Sequence, residues 1–460
     1  MEQDIPRVLL AGVSSGCGKT TVTCAVLQAL VDRQMRVGDF KCGPDYIDPL
    51  FHSRIIGAKS GNLDLFFFQE NTLRYLLAKN SRDRDVSVIE GVMGYYDGAG
   101  LTSTRASSWE TACAADTPVV LVVSAKGAAL SALAVIQGFL DFRADSRICG
   151  VILNRCTAMT YQGLAGAVRE RFGDRVKPMG FLPEMRECAL ESRHLGLVTT
   201  AEVENLKEKL HKLAQQAEET IDLDSLLAMA NNARPLRFDP VKLPEYEPVH
   251  IGVAKDRAFC FYYEDSLEAL KEMGAELIAF SPLEDAALPE NLDGLYLGGG
   301  YPELYAKKLA ENESLRHSIR QALENGLPCI AECGGFMYLT EAIGAEPMAG
   351  FLPGKCWDNH KLTRFGYVTL RAKRDNLLCR AGEEIRGHEF HHWDAEETGG
   401  DFTAEKLNGR HWDCVTATER LYAGYPHFHF YSNPEFAKNF YQACLREKKR
   451  HAGNNQADRH

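Results

Sequence analysis

Two short stretches carry residues whose types and spacing could do chemistry: GVSSGCGKTT (12–21) and PCIAECGGFMYL (328–339). In the first, glycines lead into Lys19, Thr20 and Thr21 after an apolar run. Such a loop turns backbone N–H groups toward a phosphate at the start of a helix, where the helix dipole also favours negative charge. Gly12, Ser15, Gly16, Gly18 and Thr21 are expected to surround the phosphates of ATP. Lys19 would reach the outer phosphates, and the Thr20 hydroxyl would ligate Mg2+. Val13 stands where G-x-x-x-x-G-K-[ST] has its first glycine, so this loop reads as one residue longer.

Carboxylates at predicted strand ends extend this chemistry. GPDYIDP (43–49) sets Asp45 and Asp48 in a Gly/Pro-framed loop, Glu90 ends a strand in VSVIEG (86–91), and Asp97 lies in GVMGYYDG (91–98). Singly, either aspartate of the first loop reads as a surface turn residue. Four acids beside a triphosphate would repel it unless a cation bridges them, and Mg2+ is the cation that nucleotide sites use. The four are therefore expected to position metal and substrate, with Asp48 and Glu90 joining Thr20 as metal ligands. Asn154 and Arg155, at the end of another apolar run, are expected at the adenine.

The second stretch offers a different reaction. A strand, Cys-Gly-Gly and a helix in succession describe a nucleophile elbow, whose tight turn exposes one side chain above a sheet. Cys333 is the nucleophile of this reading, and a helix N-terminus is expected to lower its pKa toward the thiolate. YPHFHF (425–430) supplies the base on one face of an expected strand. His427 aligns with the catalytic histidine and His429 with a third member or a neighbour, a choice the sequence leaves open. Backbone N–H groups of Gly299 and Gly300, in LGGGYPELY (297–305), with that of Gly334, would stabilise an oxyanion. HEFHHWD (388–394) reads as a solvated or substrate-facing loop rather than a metal site.

These residues need elements to hold them. RVLLAG (7–12), RVGDF (36–40), VSVIEG, PVVLVVSA (118–125) and CGVILN (149–154) alternate with helical stretches, as in a parallel sheet covered by helices. A helical run between about 202 and 230 closes the first unit, and NNARPLRFDPVKLPEYEP (231–248) reads as a linker. A second α/β rhythm follows from VHIGVAKD (249–256), becoming more β-rich toward the end. Domains are expected at 1–235 and 248–446, with a disordered polar tail after about Arg446. The chain has 460 residues, 45% hydrophobic and 25% charged, enough for two or three domains. Its net charge of −11 gives no general attraction for nucleic acid or membrane. No run approaches the roughly 20 apolar residues of a membrane span, and the protein is expected in the cytoplasm. The 14 cysteines lack a CxxC pair or zinc-like spacing, which argues against a disulfide framework or metal cluster.

The longer phosphate loop resembles that of the dethiobiotin synthetase and MinD-like branch of phosphate-loop proteins. GPDYIDP, IEGVMGYYDG, RHLGLV (193–198), LGGGYPELY, AECGGFMYL and HFHFYSNP in this order resemble the cobyrinic acid a,c-diamide synthase family, from residue 7 to about 440. The resemblance implies an α/β fold of two domains. The first is a phosphate-loop NTPase-like parallel sheet with helices on both faces, the second a class I glutamine amidotransferase-like domain. It implies ATP- and glutamine-dependent amidation of the a and c acetate carboxylates of cobyrinic acid, through acyl phosphates. It also implies an internal path for ammonia, small-molecule substrates only, and a monomer or homodimer. Relatives acting on hydrogenobyrinic acid or nickel-sirohydrochlorin, and cobyric acid synthase, are rival readings. A MinD-like ATPase switch is a rival of another class, but it leaves Cys333 and His427 without a purpose.

Overall fold

Apolar runs long enough to be buried on both faces make the first sheet parallel and central. The computed structural model describes residues 1–189 and 200–457, and these fall into two compact units, Met1–Val241 and Lys242–His460. RHLGLV lies outside the described residues.

In the first unit seven strands pair in the order Lys59–Leu63, Val37–Cys42, Val86–Glu90, Arg7–Gly12, Val119–Ser124, Ile148–Asn154, Lys177–Leu182. All six pairings are parallel. Val8, Leu10, Val88, Val120, Val122 and Ile152 form the core with Val22, Ala25, Val26 and Leu30 of the helix Lys19–Asp32. Three neighbouring strands, Val37–Cys42, Val86–Glu90 and Arg7–Gly12, end at the same edge. Their adjacency gathers GPDYIDP, Glu90 and the glycine loop there. The helical run after residue 200 is two helices, Thr200–Thr220 and Leu223–Asn231. They break where the Asp222 side chain accepts from Ser225 N at 2.9 Å and caps the second.

The second unit has a six-stranded sheet in the order Ala275–Phe280, Val249–Ala254, Gly294–Leu297, Cys329–Glu332, Leu421–Gly424, Thr416–Ala417. Its strands are parallel except for the last pair. An antiparallel five-stranded sheet adjoins it, running His411–Cys414, Phe402–Glu405, Arg364–Ala372, Glu384–His391, His427–Phe428. Two expectations are corrected here. HEFHHWD is not a loop: most of it continues the strand Glu384–His391, with His388, Glu389 and His391 buried. The tail is not disordered from Arg446, because the helix Pro434–Ala457 runs through it. Polar composition hid a buried acid, Glu447, whose carboxylate takes Arg420 at 2.7 Å and His451 at 2.9 Å, with Arg450 also pairing to it.

Candidate active sites

The glycine loop is shaped by two left-handed residues, Gly16 at φ 76° and Gly18 at φ 89°. Gly18 caps the helix Lys19–Asp32, and a Cβ there would lie 1.9 Å from Asn154 Nδ2. Asn154 fills that space to donate to Cys17 O at 2.9 Å. Its amide thus braces the loop, a contact the sequence reading had not drawn for it. Ser14, Ser15 and Gly16 are exposed at the loop's tip, Thr20 and Thr21 are partly exposed and Lys19 is buried. Arg155 is exposed, at φ 54°. Asp97 is spent on its own loop, its carboxylate accepting from Gly94 N at 2.9 Å.

Glu90 stands at the centre of a buried charge cluster. Its Oε1 accepts from Lys19 Nζ at 2.8 Å and Thr20 Oγ1 at 2.8 Å, and Lys41 Nζ lies 3.1 Å away. Lys41 also donates to Asp48 Oδ2 at 2.6 Å, so one ammonium joins Asp48 to Glu90. Behind them His52 Nδ1 meets Asp39 Oδ2 at 2.9 Å, while its Nε2 faces Glu90 Oε2 at 3.9 Å. Burial alone would raise the Glu90 carboxyl, but Lys19, Lys41 and His52 hold it well below the usual carboxylate range. Burial likewise works against the charge on Lys41 and on His52; Glu90 and Asp48 overrule it for the lysine, and Asp39 for the histidine. Asp45 differs: burial and then Asp48 push its carboxyl up to about 6, though its Oδ1 accepts from Ile47 N at 2.8 Å. Desolvating so many charges is poor value for stability, which points to a binding role.

The donors suit Mg2+. Glu90 Oε2 is buried without a hydrogen-bond partner, and the Thr20 hydroxyl sits on the other oxygen of the same carboxylate. No group of three or more His, Cys, Asp or Glu fit for a metal occurs among the described residues. Mg2+ beside nucleotides takes one or two protein oxygens and fills its octahedron with phosphate and water, so a hydroxyl and a carboxylate suffice.

In the second unit Cys333 occupies a strained elbow, φ 48° and ψ −102°, between the strand Cys329–Glu332 and the helix Gly334–Leu339. Neither following glycine admits a side chain easily. A Cβ at Gly335 would lie 2.1 Å from Leu297 O, and one at Gly334 would lie 2.9 Å from Pro302 Cδ and 3.2 Å from Gly300 N. The glycine strand Gly299–Gly300 is thereby pressed against the elbow, and a Cβ at Gly299 would lie 2.4 Å from His427 Cε1. His427 Nδ1 pairs with Glu332 Oε2 at 3.2 Å, and the other Glu332 oxygen accepts from Tyr296 Oη at 3.2 Å. The His429 ring lies 4.7 Å from that of Tyr263, and its Nδ1 accepts from Tyr431 N. The expectation of a thiol pKa lowered by the helix is corrected: burial, then the charge of Glu303, pushes the Cys333 thiol up. A six-residue helix does not offset that desolvation.

Sequence reading missed Lys41, Asp39, His52 and Glu332. Three of them had a signal of one kind, a charged residue in or beside a run that otherwise reads as buried: VGDFKC for Lys41 and Asp39 and PCIAE for Glu332.

Both units match known families. Residues 8–198 match the CobQ/CobB/MinD/ParA nucleotide binding domain, and residues 250–435 the CobB/CobQ-like glutamine amidotransferase domain. Among curated relatives, a cobyrinate a,c-diamide synthase from Clostridium acetobutylicum is 40% identical over 94% of this chain and 99% of its own. Another from Caldanaerobacter subterraneus subsp. tengcongensis is 41% identical over 95% and 98%. One from Thermoplasma volcanium is 40% identical over 97% and 99%.

Proposed function

The chain belongs to the cobyrinate a,c-diamide synthase family of glutamine-dependent amidating ligases, and on that premise we propose that it converts the a and c acetate carboxylates of cobyrinic acid to amides, using Mg-ATP and glutamine. The observation that carries this reading is the oriented pair Glu332–His427 beside the Cys333 elbow. It stands in one chain with a phosphate loop whose Lys19 and Thr20 converge on Glu90.

In the first unit Lys19 and the loop N–H groups hold the triphosphate. A substrate carboxylate oxygen attacks the γ-phosphorus, and the bond to ADP breaks. Lys41 and Lys19 stabilise the negative charge that collects on the transferring phosphoryl group. Thr20 and Glu90 would hold Mg2+, with Asp48 beside them; the ion neutralises phosphate charge when bound. The acyl phosphate is then attacked by ammonia, phosphate leaves, and the nitrogen loses a proton to give the amide. Phosphate leaves readily where oxide cannot, which is why ATP is needed at all.

In the second unit His427 takes the Cys333 proton as sulfur attacks the glutamine carboxamide carbon, and returns it to the departing ammonia. N–H groups of the glycine segment and of Gly334 receive the oxyanion. Water then cleaves the thioester, releasing glutamate. Glu332 holds the His427 ring in orientation, the role a carboxylate has in such triads; His429 is a neighbour.

The test is amidation by two variants with two nitrogen sources. Cys333→Ala is expected to lose glutamine-dependent amidation and keep that driven by ammonium salts, while Lys19→Ala loses both. Loss of both activities in Cys333→Ala would contradict separate chemistries in the two units.

A further inference from the structure

Glu303 lies in the short helical turn Pro302–Tyr305, directly after the glycine strand Gly299–Gly300. The Pro302 ring is seated on Gly334, the residue after the nucleophile, so the turn cannot move away from the thiol without opening that contact. Glu303 is accordingly the charge that acts most strongly on Cys333. Its carboxyl is partly withdrawn from water, and burial, reinforced by Asp358, pushes it up to about 7. Among the described residues no Lys, Arg or His pairs with it, and its own main-chain N–H is the group that donates to it. The free site is therefore doubly unfavourable: a carboxylate lacks a cation, and it opposes ionisation of the thiol beside it. A cation delivered by the ligand relieves both.

We infer that Glu303 receives the α-ammonium of glutamine, so that the amide is presented to Cys333 only by a molecule bearing a positive charge at its far end. This rests on the glutaminase reading above. Charge-assisted hydrogen bonding to a desolvated carboxylate gives selection as well as affinity, because an amide lacking the ammonium leaves the carboxylate unanswered. Glu303 is thus a specificity residue, distinct from the groups that move protons.

The experiment compares release of ammonia by the full-length protein from L-glutamine and from its des-amino analogue, 4-carbamoylbutanoate. Wild type, Glu303→Gln and Glu303→Asp are measured, each also with ammonium chloride added as a competitor. Wild type is expected to prefer glutamine. In Glu303→Gln the KM for glutamine rises about tenfold or more, the size of a lost charge-assisted hydrogen bond. Turnover of the analogue does not fall, because the charge opposing the thiol is removed as well, so the preference collapses, and Glu303→Asp restores part of it. Equal loss for both amides would overturn the inference in favour of a structural role, and the ratio is internal to each variant, so partial unfolding does not imitate it. An unchanged preference also overturns it, as does a change confined to ammonium inhibition, which would mark a product site. Absence of glutamine hydrolysis in wild type would instead defeat the function proposed above.

Discussion

At the scale of single residues, chemistry rests on carboxylates whose partners differ. Glu332 is held from both sides by Tyr296 and His427, so Glu332→Gln leaves the packing nearly intact but removes the charge that orients the base. Glutaminase kcat is expected to fall roughly a hundredfold or more, with KM little changed and ammonia-dependent amidation preserved; steady-state kinetics with each nitrogen source check this. Glu303 gives a pH prediction. Its folded pKa of about 7 lies above the ordinary value of 4.5, raised by burial and by Asp358, the titratable neighbour acting on it. Folding therefore takes up a proton between those values. The stability it contributes is complete below about 4.5 and is lost as pH rises through about 7. Denaturant midpoints of wild type are expected to fall across that window relative to those of Glu303→Gln, and parallel curves would refute the assignment. The elbow at Cys333 was legible because its strand–Cys-Gly-Gly–helix order is a local signature. Glu332 and Lys41 were not, because their roles are created by strands brought together from far along the chain.

Elements were more legible, for reasons visible in the exceptions. The strands read from the first half are the five inner members of the sheet, where burial on both faces demands continuous apolar runs. The two strands that were missed, Lys59–Leu63 and Lys177–Leu182, are its edges, and their sequences KSGNL and KPMGFL carry Gly, Asn and Pro. An edge strand buries less and needs less pattern. HFHF read as one strand with both histidines on one face, whereas the strand ends at Phe428 and a 3-10 turn follows. That ending separates His427 from His429, and no alternation rule announces it. The phosphate loop is an element with no slack: Gly18 is left-handed and its missing Cβ makes room for the Asn154 amide. Gly18→Ala is expected to weaken nucleotide binding at least tenfold while leaving the second unit's glutaminase intact, since both backbone strain and a clash would deform the loop. Calorimetric titration with Mg-ATP measures it.

At the scale of the whole molecule, the proposed function joins two reactions in one chain, one assigned to each unit. Family membership makes the chain a glutamine-dependent amidating ligase, and the charge cluster around Glu90 and the Glu332–His427 pair support the proposal that ATP activates the carboxylate it amidates. The net charge of −11 gives the general surface no attraction for anionic substrates, and the proposed function assigns their binding to Lys19 and Lys41. No helix among the described residues is long and apolar enough to cross a membrane. The most direct measurement is mass spectrometry of cobyrinic acid incubated with the purified protein, Mg-ATP and glutamine. Two successive acid-to-amide conversions, with ADP and glutamate formed in step with them, are predicted. ATP hydrolysis with no amide formed on the macrocycle, from either glutamine or ammonia, would contradict the account.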